Sequence, residues 1–257
     1  MCGICGKLTH KDGGVTEDLL RRMNAVLVHR GPDDDGLYLY HGRSGGSPSV
    51  SVGLAHRRLS IIDLSPAGRQ PMANEDGTVR MVFNGEIYNF QTLRDELKKK
   101  GHHFRSDTDG EVIVHLYEEE GVNFVRRLSG MFAFALWDEK QESLILGRDP
   151  VGIKPLVYCW NGSSFIFASE LKAILQDPEV SREMDWNALN LYLSLNYIPT
   201  PHTIFKGVRK LRPGHILTVC DSVLKEERFW DIATGALDRA PEARSFEETN
   251  ATLFQTL

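Results

Sequence analysis

Cys2 stands directly behind Met1. Removing that one methionine, which a small second residue favours, would put a thiol and a free α-amino group on the same residue. A thiol is strongly nucleophilic but only slightly ionised near neutrality, so it needs a proton acceptor held beside it. An α-amine, with an ordinary pKa of about 7.7–8.0, suits that task. The same residue opens Cys2-Gly3-Ile4-Cys5, whose spacing is also that of a zinc half-site or a redox pair. Against the metal option, Cys159 and Cys220 are isolated, and the nine histidines show no ligand spacing with them. A cysteine on a frayed terminus, with no chemistry at all, is the third alternative.

Three further groups of residues offer matching chemistry. Asn84-Gly85-Glu86 follows the apolar run Met81 to Phe83. A side-chain amide and a glycine N–H aimed at one spot would form an oxyanion hole, whereas Asn-Gly is also the favoured dipeptide of a type I′ hairpin. Arg57 and Arg58 precede the apolar run Leu59 to Ile62, which reads as a strand, so one guanidinium points inward. Buried, it needs an anion, either a ligand carboxylate gripped by the guanidinium fork or a structural partner such as Asp63. Asp107 and Asp109 lie ahead of a helix over Glu111 to Glu119. Either is a helix cap or a carboxylate facing a cleft and holding an ammonium. Arg30-Gly31-Pro32-Asp33 and Arg148-Asp149-Pro150 read as turns whose arginines tie loops to a sheet.

The elements that must position these groups are mostly strands. Leu37–Tyr40, Val50–Ala55, Leu59–Ile62, Val79–Phe83, Met131–Trp137, Ser143–Leu146, Leu156–Trp160 and Phe165–Ala168 are rich in β-branched or aromatic residues and punctuated by Gly, Pro or Asn. Helical spacing appears at Leu19, Leu20, Met23 and Leu27 behind the cap Thr16, at Leu93 and Leu97, at Val112, Ile113, Leu116 and Tyr117, and at Trp186, Leu189, Tyr192 and Leu193. Hairpin-like strands with grouped helices argue for an α+β fold of antiparallel sheets, packed as a layered sandwich. Residues 42–49 read as a polar loop between two strands with Ser44-Gly45-Gly46 as a hairpin tip, and Ser245 caps a helix-like segment with Phe246, Leu253 and Leu257 on its face.

Bulk properties narrow the function further. The 257 residues, 41% hydrophobic, suffice for a sizeable core. A net charge of −5 gives no footprint for nucleic acid or an anionic membrane. No apolar stretch approaches the roughly 20 residues of a membrane helix, and the start lacks a secretory layout, so the cytoplasm is the default address. Four cysteines indicate no disulfide framework.

Taken in order, Cys2-Gly3-Ile4, HRGPDDDG at 29–36, AHRRLSIIDLS at 55–65, GRQPM at 68–72, FNGEIYN at 83–89, SDTDGEVI at 106–113, GMFAFALWD at 130–138, GRDPVGIKPL at 147–156 and FASELKAIL at 167–175 carry a family pattern. The chain resembles the glutaminase domain of glutamine-hydrolysing asparagine synthetases, which are class II amidotransferases with an N-terminal nucleophile. PTPHTIFKGVRKLRPGH at 199–215 extends the likeness within that branch. The resemblance implies a four-layer αββα sandwich of antiparallel sheets, of the Ntn-hydrolase type. It implies that Cys2 attacks the side-chain amide of glutamine, with its own α-amine as base and then acid. Asn84 and Gly85 would stabilise the oxyanion, Arg58 would clamp the α-carboxylate and Asp109 the α-ammonium. Leu59, Ser60, Ile61, Ile62 and Glu86 would line the pocket. Gly110 departs from the pattern, standing where many members carry Thr or Cys.

The resemblance divides the chain into a glutaminase domain at 2–217 and, at 218–257, a linker with the start of an ATP-dependent synthetase domain. That domain would receive the ammonia and amidate aspartate, with ATP and Mg as its cofactors. The glutaminase part itself implies neither cofactor nor metal. The Ser-Gly-Gly-x-Asp-Ser loop of the synthetase part does not occur in these residues; Ser44-Gly45-Gly46-Ser47 lacks the aspartate. Sugar or other carboxylate acceptors, a glutamine-binding domain without turnover, and the oligomeric state, a homodimer included, stay open.

Overall fold

The computed structural model describes residues 1–11, 14–42 and 50–232, together with Ser245 and Glu247. The chain runs through β1 (Gly3–Thr9), α1 (Glu17–Ala25), β2 (Asp34–His41), β3 (Ser51–Arg58), β4 (Met72–Ala73) and β5 (Val79–Ile87). It continues with α2 (Phe90–Lys99), α3 (Val112–Glu120), β6 (Gly130–Asp138), β7 (Ser143–Arg148), β8 (Val157–Trp160) and β9 (Ser164–Ala168). Last come α4 (Leu171–Ile174), α5 (Trp186–Leu195), β10 (Val208–Lys210), β11 (His215–Cys220) and β12 (Val223–Arg228).

The strands form two six-stranded sheets, ordered β10-β8-β9-β1-β3-β2 and β12-β11-β7-β6-β5-β4. Their pairings are antiparallel. Three apolar clusters show how they stack. Ile4, Val52, Leu54 and Phe167 of the first sheet meet Val82, Ala135, Trp137 and Leu146 of the second in one buried layer. The outer face of the first sheet, through Cys5, Ala55 and Ile166, packs on Leu19 and Met23 of α1 and Ala173 and Ile174 of α4. The outer face of the second, through Met81, Phe83 and Phe134, packs on Leu93 and Leu97 of α2 and Ile113 and Leu116 of α3. Helices, sheet, sheet and helices therefore make the expected αββα sandwich. Strand alternation sends every second side chain to the opposite layer, which is why each sheet is apolar on both faces.

Local signals account for several elements. Thr16 caps α1 by accepting the Leu19 N–H at 3.3 Å, Glu17 and Asp18 occupy its first turn, and Leu19, Leu20 and Met23 are buried. β1 escapes the sequence reading because Gly3, Gly6 and Lys7 interrupt the alternation. All seven of its residues are nevertheless buried, Lys7 through an ion pair with Asp177 at 2.7 Å.

Leu59–Ile62 and α5 differ from expectation, and the two readings left open for Asn84-Gly85 are decided. Leu59 to Ile62 is a loop, with Ile61 63% and Ile62 48% exposed. β3 ends at Arg58, and the Ser60 N–H goes to Asp33 Oδ2 at 2.8 Å instead of to a ladder. Asn84-Gly85 lies inside β5, paired with Ala133 and Phe132 of β6, so it is no hairpin turn. In α5 only Ala188 is buried; Trp186 and Leu193 are 69% and 71% exposed, so the apolar face does not enter a core of the described residues. Position 217 falls within β11, which pairs with β12 over His215–Cys220 and with β7 over Ile216–Val219. The loop and hairpin tip expected at 42–49, apart from Gly42, and the helix-like segment after Ser245 lie outside the described residues. Among those residues no helix is long and apolar enough to cross a membrane.

Candidate active site

The cleft lies where β1, β3 and β5 end together. β4 pairs with β5 only at Met81 and Arg80. Beyond that point one edge of β5 has no neighbouring strand among the described residues, and its outward N–H groups recur at every second residue. The Phe83 N–H donates to Gln70 Oε1 at 2.6 Å, and the Ile87 N–H to Asp109 Oδ2 at 2.7 Å. On the other side Phe132 spends its own N–H and carbonyl on Asp149, not on Gly85. The Gly85 N–H therefore faces the open edge, between Gln70 and Asp109. A Cβ at Gly85 would stand 2.4 Å from Met131 O and 2.8 Å from Phe132 Cα, so only glycine allows the two strands this approach. Asn84 is 1% exposed, and its Nδ2 has no hydrogen-bond partner among the described residues.

Cys2 precedes β1, whose Gly3 is set opposite Arg57 of β3. Its sulfur is bracketed by Leu59, whose N–H lies 3.4 Å away and whose carbonyl lies at 3.7 Å. The Cys2 carbonyl accepts from Arg30 Nε at 2.9 Å, and Arg30 Nη1 holds Glu170 at 2.8 Å. Gly31 follows with no room for a side chain, since a Cβ would lie 2.4 Å from the Arg57 carbonyl carbon. The Arg30-to-Asp33 segment is thus a buttress for the strand end that carries the thiol. Burial pushes the Cys2 thiol above its ordinary pKa; the Leu59 N–H, the amino terminus and Arg58 pull it down, and Asp109 opposes them. A thiol so placed needs a nearby base to become a nucleophile.

Cys5 does not join Cys2. It lies three positions along an extended strand, on the opposite face, fully buried against α1. Desolvation first, with only Arg57 opposing it, raises its pKa strongly. The Cys-x-x-Cys pair therefore makes neither a chelate nor a redox couple.

Arg58, the last residue of β3, is 6% exposed. Its Nη1 donates to the Ser65 carbonyl at 2.8 Å and its Nη2 to the Asp63 carbonyl. Among the described residues no carboxylate is paired with it, so the Asp63 side chain is not its counter-ion. Asp109 is 6% exposed. Burial raises its pKa; the N–H groups of Ile87, Asp109 itself and Gly110 lower it, and Glu86 raises it. It is not the cap of α3, which has no side-chain cap hydrogen bond. Asp107 is exposed and meets Arg94 at 3.1 Å.

One open cavity of about 640 Å³ is lined by Cys2, Arg58, Leu59, Ser60, Ile61, Ile62, Asn84, Gly85, Glu86 and Asp109. All ten candidate residues are brought together. The sequence reading missed Gln70 and Lys154, which also line it. Gln70 occupies the place of a β4 partner for Phe83. Lys154 is 5% exposed and sits on the loop that Arg148 ties down through the carbonyls of Lys154, Gly152 and Leu211. Its only sequence signal is the GIKPL motif. His56 joins the sheets beneath the cleft by donating Nε2–H to the Phe83 carbonyl at 3.1 Å. Desolvation lowers its pKa to about 3, the bond to Phe83 opposing and Arg58 assisting, so it stays neutral. The cavity thus presents a thiol, two unspent N–H donors, a guanidinium and a carboxylate.

The family model of the glutamine amidotransferase domain matches residues 1–230. Among curated proteins, asparagine synthetase [glutamine-hydrolyzing] 3 of Bacillus subtilis is 39% identical over 262 residues, covering 99% of this chain and 40% of the relative. Putative asparagine synthetase [glutamine-hydrolyzing] 2 of Methanocaldococcus jannaschii is 35% identical over 250 residues, covering 90% and 47%. The chain spans less than half the length of either relative. The solved glutamine phosphoribosylpyrophosphate amidotransferase of B. subtilis superposes with a TM-score of 0.60 at 21% identity, over 89% of this chain and 49% of that one. That likeness bears on the fold. With the family model spanning nearly all of the described residues, the chain belongs to the glutamine amidotransferase domain family.

Proposed function

We propose that the domain hydrolyses glutamine to glutamate and ammonia, with Cys2 as nucleophile once Met1 is removed. The observation that carries this reading is the pair of unspent donors on the open edge of β5, Asn84 Nδ2 and the Gly85 N–H, in the wall of the cavity that Cys2 lines. The freed α-amine takes the thiol proton as sulfur attacks the amide carbon. Negative charge then gathers on the amide oxygen, where the two donors hold it. The amine returns the proton to the departing nitrogen, ammonia leaves, and water hydrolyses the thioester to glutamate and free thiol. Arg58 and Asp109 supply opposite charges for the α-carboxylate and α-ammonium of the substrate, which fixes the amide over the sulfur.

Ammonia would pass to an ATP-dependent synthetase part that amidates aspartate, as the printed names of the relatives suggest. ATP and Mg belong to that part, and no residue of this chain is assigned to them. In the test, protein shown by mass spectrometry to have lost Met1 is incubated with glutamine, and glutamate is measured. Release is expected, and Cys2→Ala should abolish it. Intact glutamine bound by the processed protein without any release would overturn the reading in favour of a binding domain.

A further inference from the structure

On the outer face of the second sheet, outside the cavity, four side chains from three segments converge. Glu75 sits in the turn after β4, His102 follows α2, and His115 and Glu118 lie on α3 at i and i+3, hence on one helix face. His115 is 1% exposed, and neither of its ring nitrogens has a hydrogen-bond partner among the described residues. Its Nδ1 stands 3.3 Å from Glu75 Oε2 and 3.5 Å from Glu118 Oε2. His102 Nδ1 stands 3.5 Å from Glu75 Oε1 and 3.9 Å from Glu118 Oε2. Ligands about 2.0–2.1 Å from a tetrahedral zinc lie roughly 3.3–3.5 Å from one another, close to these separations.

The remaining donors of the cluster are already engaged in ways that aim these atoms inward. His102 Nε2–H donates to Glu119 Oε1 at 3.1 Å, which leaves Nδ1 with its lone pair. Glu118 Oε1 accepts from Asn74 Nδ2 at 2.8 Å, and Glu75 Oε1 from the His103 N–H at 2.9 Å. Such outer partners fix ligand orientation in metal sites. Phe104 packs edge-on against the His115 ring at 4.5 Å and shields it from water. Two imidazoles and two carboxylates form a donor set suited to Zn²⁺.

We infer that Glu75, His102, His115 and Glu118 form a structural divalent-metal site of the zinc class, clasping the turn after β4 and the end of α2 to α3. None of the four lines the catalytic cavity, so the site stands apart from the proposed hydrolysis. With four protein ligands it has no open position for a substrate and serves stability. His115-x-x-Glu118 is its one trace in the sequence, and the partners come from positions 75 and 102.

The test uses the full chain, freed of metal by dialysis, equilibrated with zinc chloride and desalted. We expect about one zinc retained per chain and a higher Tm. Cobalt in place of zinc should give the intense visible absorption of tetrahedral coordination. His102→Gln and Glu118→Gln are partly exposed positions whose variants should keep a native circular dichroism spectrum yet lose at least ~10-fold in zinc affinity. Failure to retain stoichiometric zinc, or binding equally tight in both variants, overturns the inference.

Discussion

Arg58 and Arg148 are the last residues of central strands, β3 and β7, and both are buried, at 6% and 9% exposure. Arg148 spends all three nitrogens on carbonyls, those of Lys154, Leu211 and Gly152. Arg58 spends two, on Ser65 and Asp63, and turns the rest of its fork to the cavity. The same side chain thus serves as a clamp on loops in one region and as an anion receptor in the other. The contrast extends along β5. At Arg80 and Met81 the strand is flanked by β4 and β6, while from Phe83 to Ile87 it keeps only β6 among the described residues. Regions with spent donors hold the fold; regions with unspent donors can meet a ligand.

Substitutions that separate stability from turnover test this division. After Cys2→Ala, the largest effect on turnover is expected at Asn84→Ala, where loss of one oxyanion donor should cut kcat about 10²–10³-fold. Because Asn84 Nδ2 has no partner among the described residues, thermal melting should give an unchanged or slightly raised Tm. A collapsed Tm would instead make Asn84 a structural residue. Next comes the arginine pair. Arg148→Lys strands buried carbonyls and should cost about 3 kcal/mol, a fall of roughly 6–12 °C in Tm. Arg58→Lys loses the planar fork and should raise KM for glutamine about tenfold with little change in Tm. Opposite outcomes for the two would erase the distinction between them.

The smallest effect is a pH dependence. Burial above all holds the Asp109 carboxyl above the ordinary carboxylate range, so it takes up a proton early as pH falls and loses its attraction for an ammonium. KM for glutamine should therefore rise as pH falls from about 7 towards the ordinary carboxylate range near 4. Asp109→Asn should start with a high KM and show no such rise. Steady-state kinetics across that window decides it.

Much of the site was legible because its chemistry is carried by residue types in short motifs. Cys2 and Asn84-Gly85 each offered chemistry beside a plainer alternative, Arg58 over Arg57 and Asp109 over Asp107 were chosen by the family resemblance, and α1 stood out by its Thr16 cap. What misled were segments whose local signal has two outcomes. Leu59 to Ile62 has the composition of a strand, but no strand pairs with it, so it became the exposed wall of the cavity. Asn-Gly favours a hairpin, but nine consecutive pairings with β6 hold it extended. β1 lacks alternation because both of its faces are covered, one by the second sheet and one by α1. The apolar face of α5 announced a core that the described residues do not supply.

The amino-acid sequence by itself determined the inventory: a thiol next to the start, an amide beside a glycine, a guanidinium, a carboxylate, and a first helix with its own cap. Only the tertiary structure decided which of those groups would remain unspent. A donor is free or satisfied according to what lies opposite it, and that partner can come from far along the chain, as where the Ile4 N–H donates to Ser169 Oγ, 165 residues away. Burial then makes each unspent group count, because a polar atom withdrawn from water gains most from the ligand that completes it.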